Sequence, residues 1–535
     1  MPSRTPLAIA SSALAGLVVS GLVVVAPTAP AQADARKPPV TRTVVRGIDV
    51  DRTTIPRLQR AMNRHRLSSV QLTRFYLARI ERLNPRLHAV IATSPTAVAD
   101  AAAADRDRRK GVRKPLLGIP MIVKDNIGTT GMPTTAGSLA LAGSTPPDAF
   151  LVRRLEAQGA VVIAKANLSE WANYRSTNST SGWSAVGGQT NNPYVLDRNP
   201  CGSSSGSAVA TAADLATVAV GTETDGSIVC PSGQNGVVGI KPTLGLVSRS
   251  GVVPISAQQD TAGPIARSTT DAAVVLGALT GVDPTDAATA AQRGHVSRYT
   301  TALRAHALRG ARIGVWRKGI VGLSKPTDRI VRRTITKLRH LGATVVDPAD
   351  IAIDKAYDPE NTALQHEFKH DIAQYLQRYT APTYPRTLAD LIAFNTSHAS
   401  TELRYFGQET FTQSQARGPL TDPAYVKARH DATTIARQSI DSTMRRYRLD
   451  AVIAPTNSPA WKTTLGKGDA FVLGSSSPSA ISGYPSITVP AGYAGRLPVG
   501  LSFIGSRWSE RKLISLASSW EHATQVRHKP RYRLH

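Results

Sequence analysis

Three polar groups in this chain stand where acyl-transfer chemistry could use them. Lys124 ends the apolar run LLGIPMIV, Ser203 lies in PCGSSSGS, and Ser227 lies in GTETDGSI. A serine hydroxyl is a weak nucleophile until a neighbouring base takes its proton. The sequence has no G-x-S-x-G elbow and no histidine placed for a Ser-His-Asp arrangement. A lysine can serve as the base if it is held neutral, and burial disfavours its ammonium form. Lys124 follows an apolar stretch in which such burial can occur, although a surface lysine at a strand end is the commoner fate. In Thr224-Asp225-Gly226-Ser227, small residues leave backbone N–H groups free to converge on one point, as an oxyanion requires. The same residues also make an ordinary turn.

By composition PCGSSSGS reads as a solvated Gly/Ser linker. Its context disagrees. It runs directly into AVATAADLATVAVG, which reads as a buried helix, and then into a second small-residue turn, GTETDGSIVCP. Two tight turns bracketing one apolar element suit a site better than a linker.

The elements that would position these residues alternate between helix and strand. SSVQLTRFYLARIERL begins with a Ser-x-x-Gln capping box at Ser68. It presents Leu72, Tyr76, Ile80 and Leu83 on one face, with Asn84-Pro85 as its stop. PLLGIPMIVKDN is a short strand ending on Lys124, and FLVRRLEAQGAVVIAKAN reads helix, glycine turn, strand. RGARIGVW and LGATVVDP are strands around a helix at 327–340, and DAVIAPT is another strand. This alternation predicts an α/β fold with a sheet covered by helices on both faces. With 535 residues, no visible repeat and no linker after residue 60, it predicts one large domain at 55–535.

The first residues belong to a different class. MPSR is basic, residues 7–26 are apolar, and Ala31-Gln32-Ala33 ends the segment in a small-x-small pattern. That is the layout of a secretory signal peptide over residues 1–33, cut after Ala33, which implies a secreted or extracytoplasmic protein. An uncleaved anchor is the alternative, because the apolar run reaches spanning length. Residues 34–54 read as a loose polar arm. The formal net charge is +27 and the leader carries only Arg4, so nearly all of it remains on the mature chain. Such a charge suits loose association with an anionic cell-wall or membrane surface, or simply a solvated basic surface. The basic clusters RDRRKGVRK, RRTITKLRH and HKPRYRLH lack the interleaved aromatics of a nucleic-acid platform, so no nucleic-acid partner is expected. The two cysteines, Cys201 and Cys230, lie in the two turns, and in a secreted chain they invite a disulfide.

The motifs GIPMIVKDN, GGQTNNP, PCGSSSGSAVA, GTETDGSI, GIKPTLGLVSRSGVVPIS, DAVIAPT, GYPSITVPAG and LPVGLSFIG follow one another in a characteristic order. Together they resemble the amidase signature family over residues 55 to 530. The resemblance implies a single large domain with a central mixed β-sheet covered by helices. It implies a Ser–cis-Ser–Lys triad with Ser227 as nucleophile, Ser203 after a cis peptide bond at Gly202 as bridge, and Lys124 as base. It also implies an oxyanion site in the backbone of Thr224, Asp225, Gly226 and Ser227, with no metal or organic cofactor. Residues 171–180 would line the pocket. Cys201, Ser205 and Asp225 stand where the family often has glycine, a subfamily mark that leaves the triad intact. NLSEWANYRS, LADLIAFNTSH and TELRYFGQE are similar to the bacterial peptide amidases, which implies hydrolysis of a peptide's C-terminal carboxamide to the acid and ammonia. Aryl, aliphatic or fatty amides are alternative substrates on the same scaffold.

Two rival functions follow from the same sequence. His366-Glu367-Phe368-Lys369-His370 is a literal H-E-x-x-H zinc-hydrolase motif. A third ligand is missing: no glutamate lies between Glu367 and Glu402, and Ala373 stands where the extended motif has glycine. The family also contains the amidase component of a tRNA-dependent amidotransferase. An export leader argues against that role, so no obligate protein partner is expected.

Overall fold

The computed structural model describes residues 43–534. The expected signal peptide lies outside the described residues. These residues form one compact unit around an eleven-stranded sheet. From one edge the strands run Thr344–Val346, Arg312–Val315, Ala451–Pro455, Leu497–Ile504 and Ser486–Ala494. They continue through Val238–Lys241, Thr261–Ala266, Val218–Glu223, Pro120–Lys124 and Val161–Ala166 to Val90–Thr93 at the other edge. The sheet is mixed, as expected. The first three strands are parallel, the middle runs antiparallel, and Val218–Glu223, Pro120–Lys124 and Val161–Ala166 are parallel again. Every residue of those last three strands is buried, as both-face helix cover demands.

Several local expectations hold. Ser68 and Gln71 form the reciprocal capping box of the helix Ser69–Leu87, and Leu72, Tyr76, Ile80 and Leu83 are buried along it. Helix Phe150–Ala157, the turn and strand Val161–Ala166 follow as read. So do strands Arg312–Val315 and Thr344–Val346 around the helix Lys325–His340.

Other expectations need correction. Asn84-Pro85 does not stop its helix, which runs on to Leu87 and ends where His88 takes φ 48. Asn84 instead ties the following strand, donating to Val90 O at 2.8 Å and accepting from the Ala89 and Val90 N–H groups. AVATAADLATVAVG is not one helix. The helix Ser205–Ala212 ends before Asp214 at φ 55, and Val218 begins a central strand. The described part of the expected arm, residues 43–54, lies against the body. Val44–Val45 pairs with Ile48–Asp49, Val50 is buried, and Asp51 is ion-paired with Arg527 at 2.8 Å.

Candidate active site

Two adjacent parallel strands bring the chemistry together. Pro120–Lys124 delivers Lys124 as its last residue, and beside it Val218–Glu223 leads straight into Thr224–Ser227. Both strands end at the same side of the sheet, where open α/β folds place their ligands. The third component, Ser203, stands just before the helix Ser205–Ala212, after a cis peptide bond between Gly202 and Ser203.

Lys124 is fully buried, and its Nζ lies 2.7 Å from Ser203 Oγ, in hydrogen-bond contact. It also lies 2.8 Å from Thr222 Oγ1 and 3.3 Å from Thr222 O. Burial lowers its pKa from the ordinary lysine value to about 7, with the charges of Asp260 and Glu223 acting in the opposite sense. The carboxylate of the neighbouring Asp125 turns elsewhere. It accepts from the Thr135 N–H at 3.0 Å and faces the buried Lys165 at 3.7 Å. Asn126 donates to Thr222 Oγ1 at 3.0 Å, so that hydroxyl is held from two sides.

The Ser227 turn is fixed by a scaffold of carboxylates and amides. Glu223 Oε2 accepts from the Ile228 and Val229 N–H groups at 2.7 and 3.0 Å. Thr224 Oγ1 donates to Asp260 Oδ1 at 2.6 Å, and Gln259 donates to Thr224 O at 3.1 Å. Burial pushes the Asp260 carboxyl up to about 6. Gly226 takes φ +80, and a Cβ there would meet Ser476 Oγ at 3.0 Å, so the turn needs glycine on both counts. The two turns also touch directly, with the Ser204 N–H donating to Ser227 O at 3.1 Å. The arrangement therefore presents a buried amine of lowered pKa, a bridging hydroxyl in contact with it, and a second hydroxyl on a rigid small-residue turn.

The two turns are joined covalently as well. Cys201 and Cys230 form a disulfide with Cα atoms 6.0 Å apart, packed beside Trp461. Cys201 takes φ 58, a left-handed backbone that glycine adopts without strain. Ser205 Oγ donates to Cys201 O at 2.6 Å. Asp225 is raised above the ordinary carboxyl range by burial, against hydrogen bonds from Ser476 and Ser477. The segment expected to line the pocket is flanked by Ser169 and Ser181, whose Oγ atoms would lie 2.1 and 3.2 Å from a Cβ at Gly202. Between them Trp171, Ala172 and Asn173 all have positive φ.

Sequence reasoning missed Thr222, Asn126, Gln259 and Asp260. Two of them were within reach. Thr222 and Asn126 lie inside GTETDGSI and VKDN, at strand ends where a buried polar side chain needs a partner.

The rival H-E-x-x-H sequence does lie on one helix, Tyr357–Tyr379, but its groups are engaged elsewhere. Glu367 receives Arg429 on both oxygens at 2.7 and 2.6 Å, along with Tyr425 OH and Ser256 Oγ. The His366 ring lies against Gly418 O at 3.1 Å, whereas the His370 ring is half-exposed beside Asp371 at 2.8 Å. Those residues do not fit a zinc centre.

A model of the Amidase family matches residues 71–514. A probable amidase of Arabidopsis thaliana is 41% identical over 497 residues, which is 90% of this chain and 92% of the relative. A glutamyl-tRNA(Gln) amidotransferase subunit of Acinetobacter baumannii is 33% identical over 501 residues, 89% of this chain and 97% of the relative. Among solved structures, native peptide amidase from Stenotrophomonas maltophilia has a TM-score of 0.85 at 49% identity, covering 90% of this chain and 98% of that one.

Proposed function

The chain belongs to the amidase family, a group of hydrolases acting on amide C–N bonds, and from that premise we propose that it cleaves the C-terminal carboxamide of peptides through an acyl-enzyme on Ser227. The observation that carries this reading is the 2.7 Å contact between Ser203 and a lysine that burial brings to about 7. Thr222 offers two oxygens to Lys124. A neutral amine can donate its two hydrogens there and keep its lone pair for the Ser203 proton.

The proton balance then closes. Ser227 Oγ attacks the carbonyl carbon while its proton passes to Ser203 and that of Ser203 passes to Lys124. Backbone N–H groups of the turn 224–227 hold the oxyanion. When the C–N bond breaks, the relay returns the proton to the leaving nitrogen, which departs as ammonia. Water loses its proton through the same relay, attacks the ester and restores Ser227, giving the free acid. No step calls for a metal or organic cofactor.

The substrate class rests on the likeness to a peptide amidase, and the extracytoplasmic location rests on the leader pattern of residues 1–33. The test is ammonia release from a panel of peptide amides, aryl amides and fatty amides by the purified chain alone. Turnover of peptide amides ahead of the others supports the reading. Preference for aryl or fatty amides overturns the substrate class, and activity only with an added partner protein favours the amidotransferase role.

A further inference from the structure

The helix Lys325–His340 buries Ile330, Val331, Thr334, Ile335 and Leu338. Its opposite face exposes Lys325, Arg329, Arg332, Arg333, Arg339 and His340, with Lys337 half-buried. Among the described residues none of these seven side chains has an ion-pair partner. The nearest carboxylates in sequence are occupied. Asp328 accepts from the Gly322 N–H at 3.1 Å, and Asp347 holds Arg317.

Helix stability does not account for this face. Lys325, Arg329, Arg333 and Lys337 follow at four-residue steps, so each repels the next. Cations near a helix C-terminus complement its dipole, but Lys325 and Arg329 sit at the end where they oppose it. The rise of about 1.5 Å per residue sets the four cations about 6 Å apart along one ridge, a spacing that successive phosphates on a flexible polymer can match. Beside the ridge, Arg333 and Lys337 form one wall of a groove of about 230 Å³, whose other wall is Ala491, Trp520 and Val526. No carboxylate lines it.

We propose that this face binds a linear phosphate-bearing polyanion without bases, of the polyol-phosphate type. The exposed helix face has no aromatic side chain on which a base could stack, and Trp520 in the groove is buried, its Nε1 donating to Pro490 O. It has no large apolar side chain to enter a bilayer. What remains is a ridge of point charges, which recognises repeating anions.

The experiment measures binding of labelled inorganic polyphosphate by the full chain at several salt concentrations. One variant carries Arg329→Gln, Arg332→Gln, Arg333→Gln and Lys337→Gln. A control removes the same charge elsewhere through Arg106→Gln, Arg109→Gln, Lys110→Gln and Lys114→Gln. Each phosphate neutralised on a flexible strand contributes a log–log salt slope of about −0.7. Four engaged cations therefore predict a slope near −3, roughly tenfold or more weaker binding by the helix variant, and little change in the control. Two double variants, Arg329→Gln/Arg333→Gln and Arg332→Gln/Arg339→Gln, should show intermediate losses and provide a reading if the quadruple variant misfolds. Equal losses in helix variant and control would reduce the effect to net charge and overturn the proposal. So would tighter binding to single-stranded DNA, or binding to phosphatidylglycerol vesicles in preference to the soluble polymer.

Discussion

Lys124→Arg, assayed alongside the native chain across pH 5 to 9, tests the proposed base directly. The native amine has a pKa brought by burial to about 7, and only its neutral form can accept the Ser203 proton. Activity should therefore rise with pH. A single group of that pKa gives kcat/KM falling about tenfold per pH unit on the acid side, to roughly 3% of the plateau at pH 5.5. Guanidinium stays protonated throughout this range, so Lys124→Arg should lose several orders of magnitude at every pH and show no limb near 7. Asp260 must be separated from this effect, because burial pushes it up to about 6 and it holds Thr224. In Asp260→Asn the plateau should fall while the limb stays within about one unit, moving slightly down as a charge that favours the ammonium is removed. The assay is initial-rate ammonia release from a peptide amide under subsaturating conditions. If Lys124→Arg keeps the native rate, or if Asp260→Asn alone removes the limb, Lys124 is not the base.

The remaining expectations concern the same region. Ser227→Ala and Ser203→Ala should each cost several orders of magnitude in kcat, and the double variant little more, since relay members act as a unit; additive losses in single-turnover rates would contradict this. Full activity should survive strong chelation, and His366→Ala should change it little; activity lost to chelator and restored by zinc would revive the H-E-x-x-H motif. Burial lowers the folded-state pKa of Lys124, so the folding penalty is complete below about 7 and fades as pH rises toward the free-lysine value of about 10.4. Lys124→Met should accordingly unfold later than the native chain at neutral pH, by up to about 4 kcal/mol, with the gap closing toward pH 10 in urea melts. Cys201→Ser/Cys230→Ser opens a crosslink spanning 29 residues, which chain entropy values at about 3–4 kcal/mol; an unchanged urea midpoint would refute that contribution.

Local signals made part of this molecule legible. The apolar run into Lys124, the capping box at Ser68 and the helix-turn-strand pattern of residues 150–166 all depend on near neighbours in sequence, and the structure reproduces them. Where the deciding contact is distant, the sequence misled. The Ala/Val run after Ser205 has no periodicity to separate helix from strand. The division falls at Asp214, and the strand that follows takes its register from Pro120–Lys124 and Thr261–Ala266. The direction of Asp125 is set by Lys165 and Thr135, neither visible from Lys124. Thr222 matters only because its strand pairs beside the strand carrying Lys124. The hydroxyls and the amine were marked by their motifs; the shell was not, because its contacts join residues 36 to 98 positions apart, even where, as with Asn126 and Thr222, the residues themselves lie inside the motifs.

The bridge from Cys201 to Cys230 closes a loop of chain that includes both Ser203 and Ser227 and excludes Lys124. Both hydroxyls thus belong to one covalent ring, together with the helix Ser205–Ala212 and the strand Val218–Glu223. The amine comes from outside, on a strand held to that ring without a covalent link, by pairing, burial and the hydrogen bonds of Lys124 and Asn126. A partial opening of the sheet cannot part the two serines far, yet it removes the proposed proton acceptor as soon as Pro120–Lys124 slides or lifts. Catalytic competence is then a gauge of how one five-residue strand is seated, and it will be lost before the ring itself comes apart.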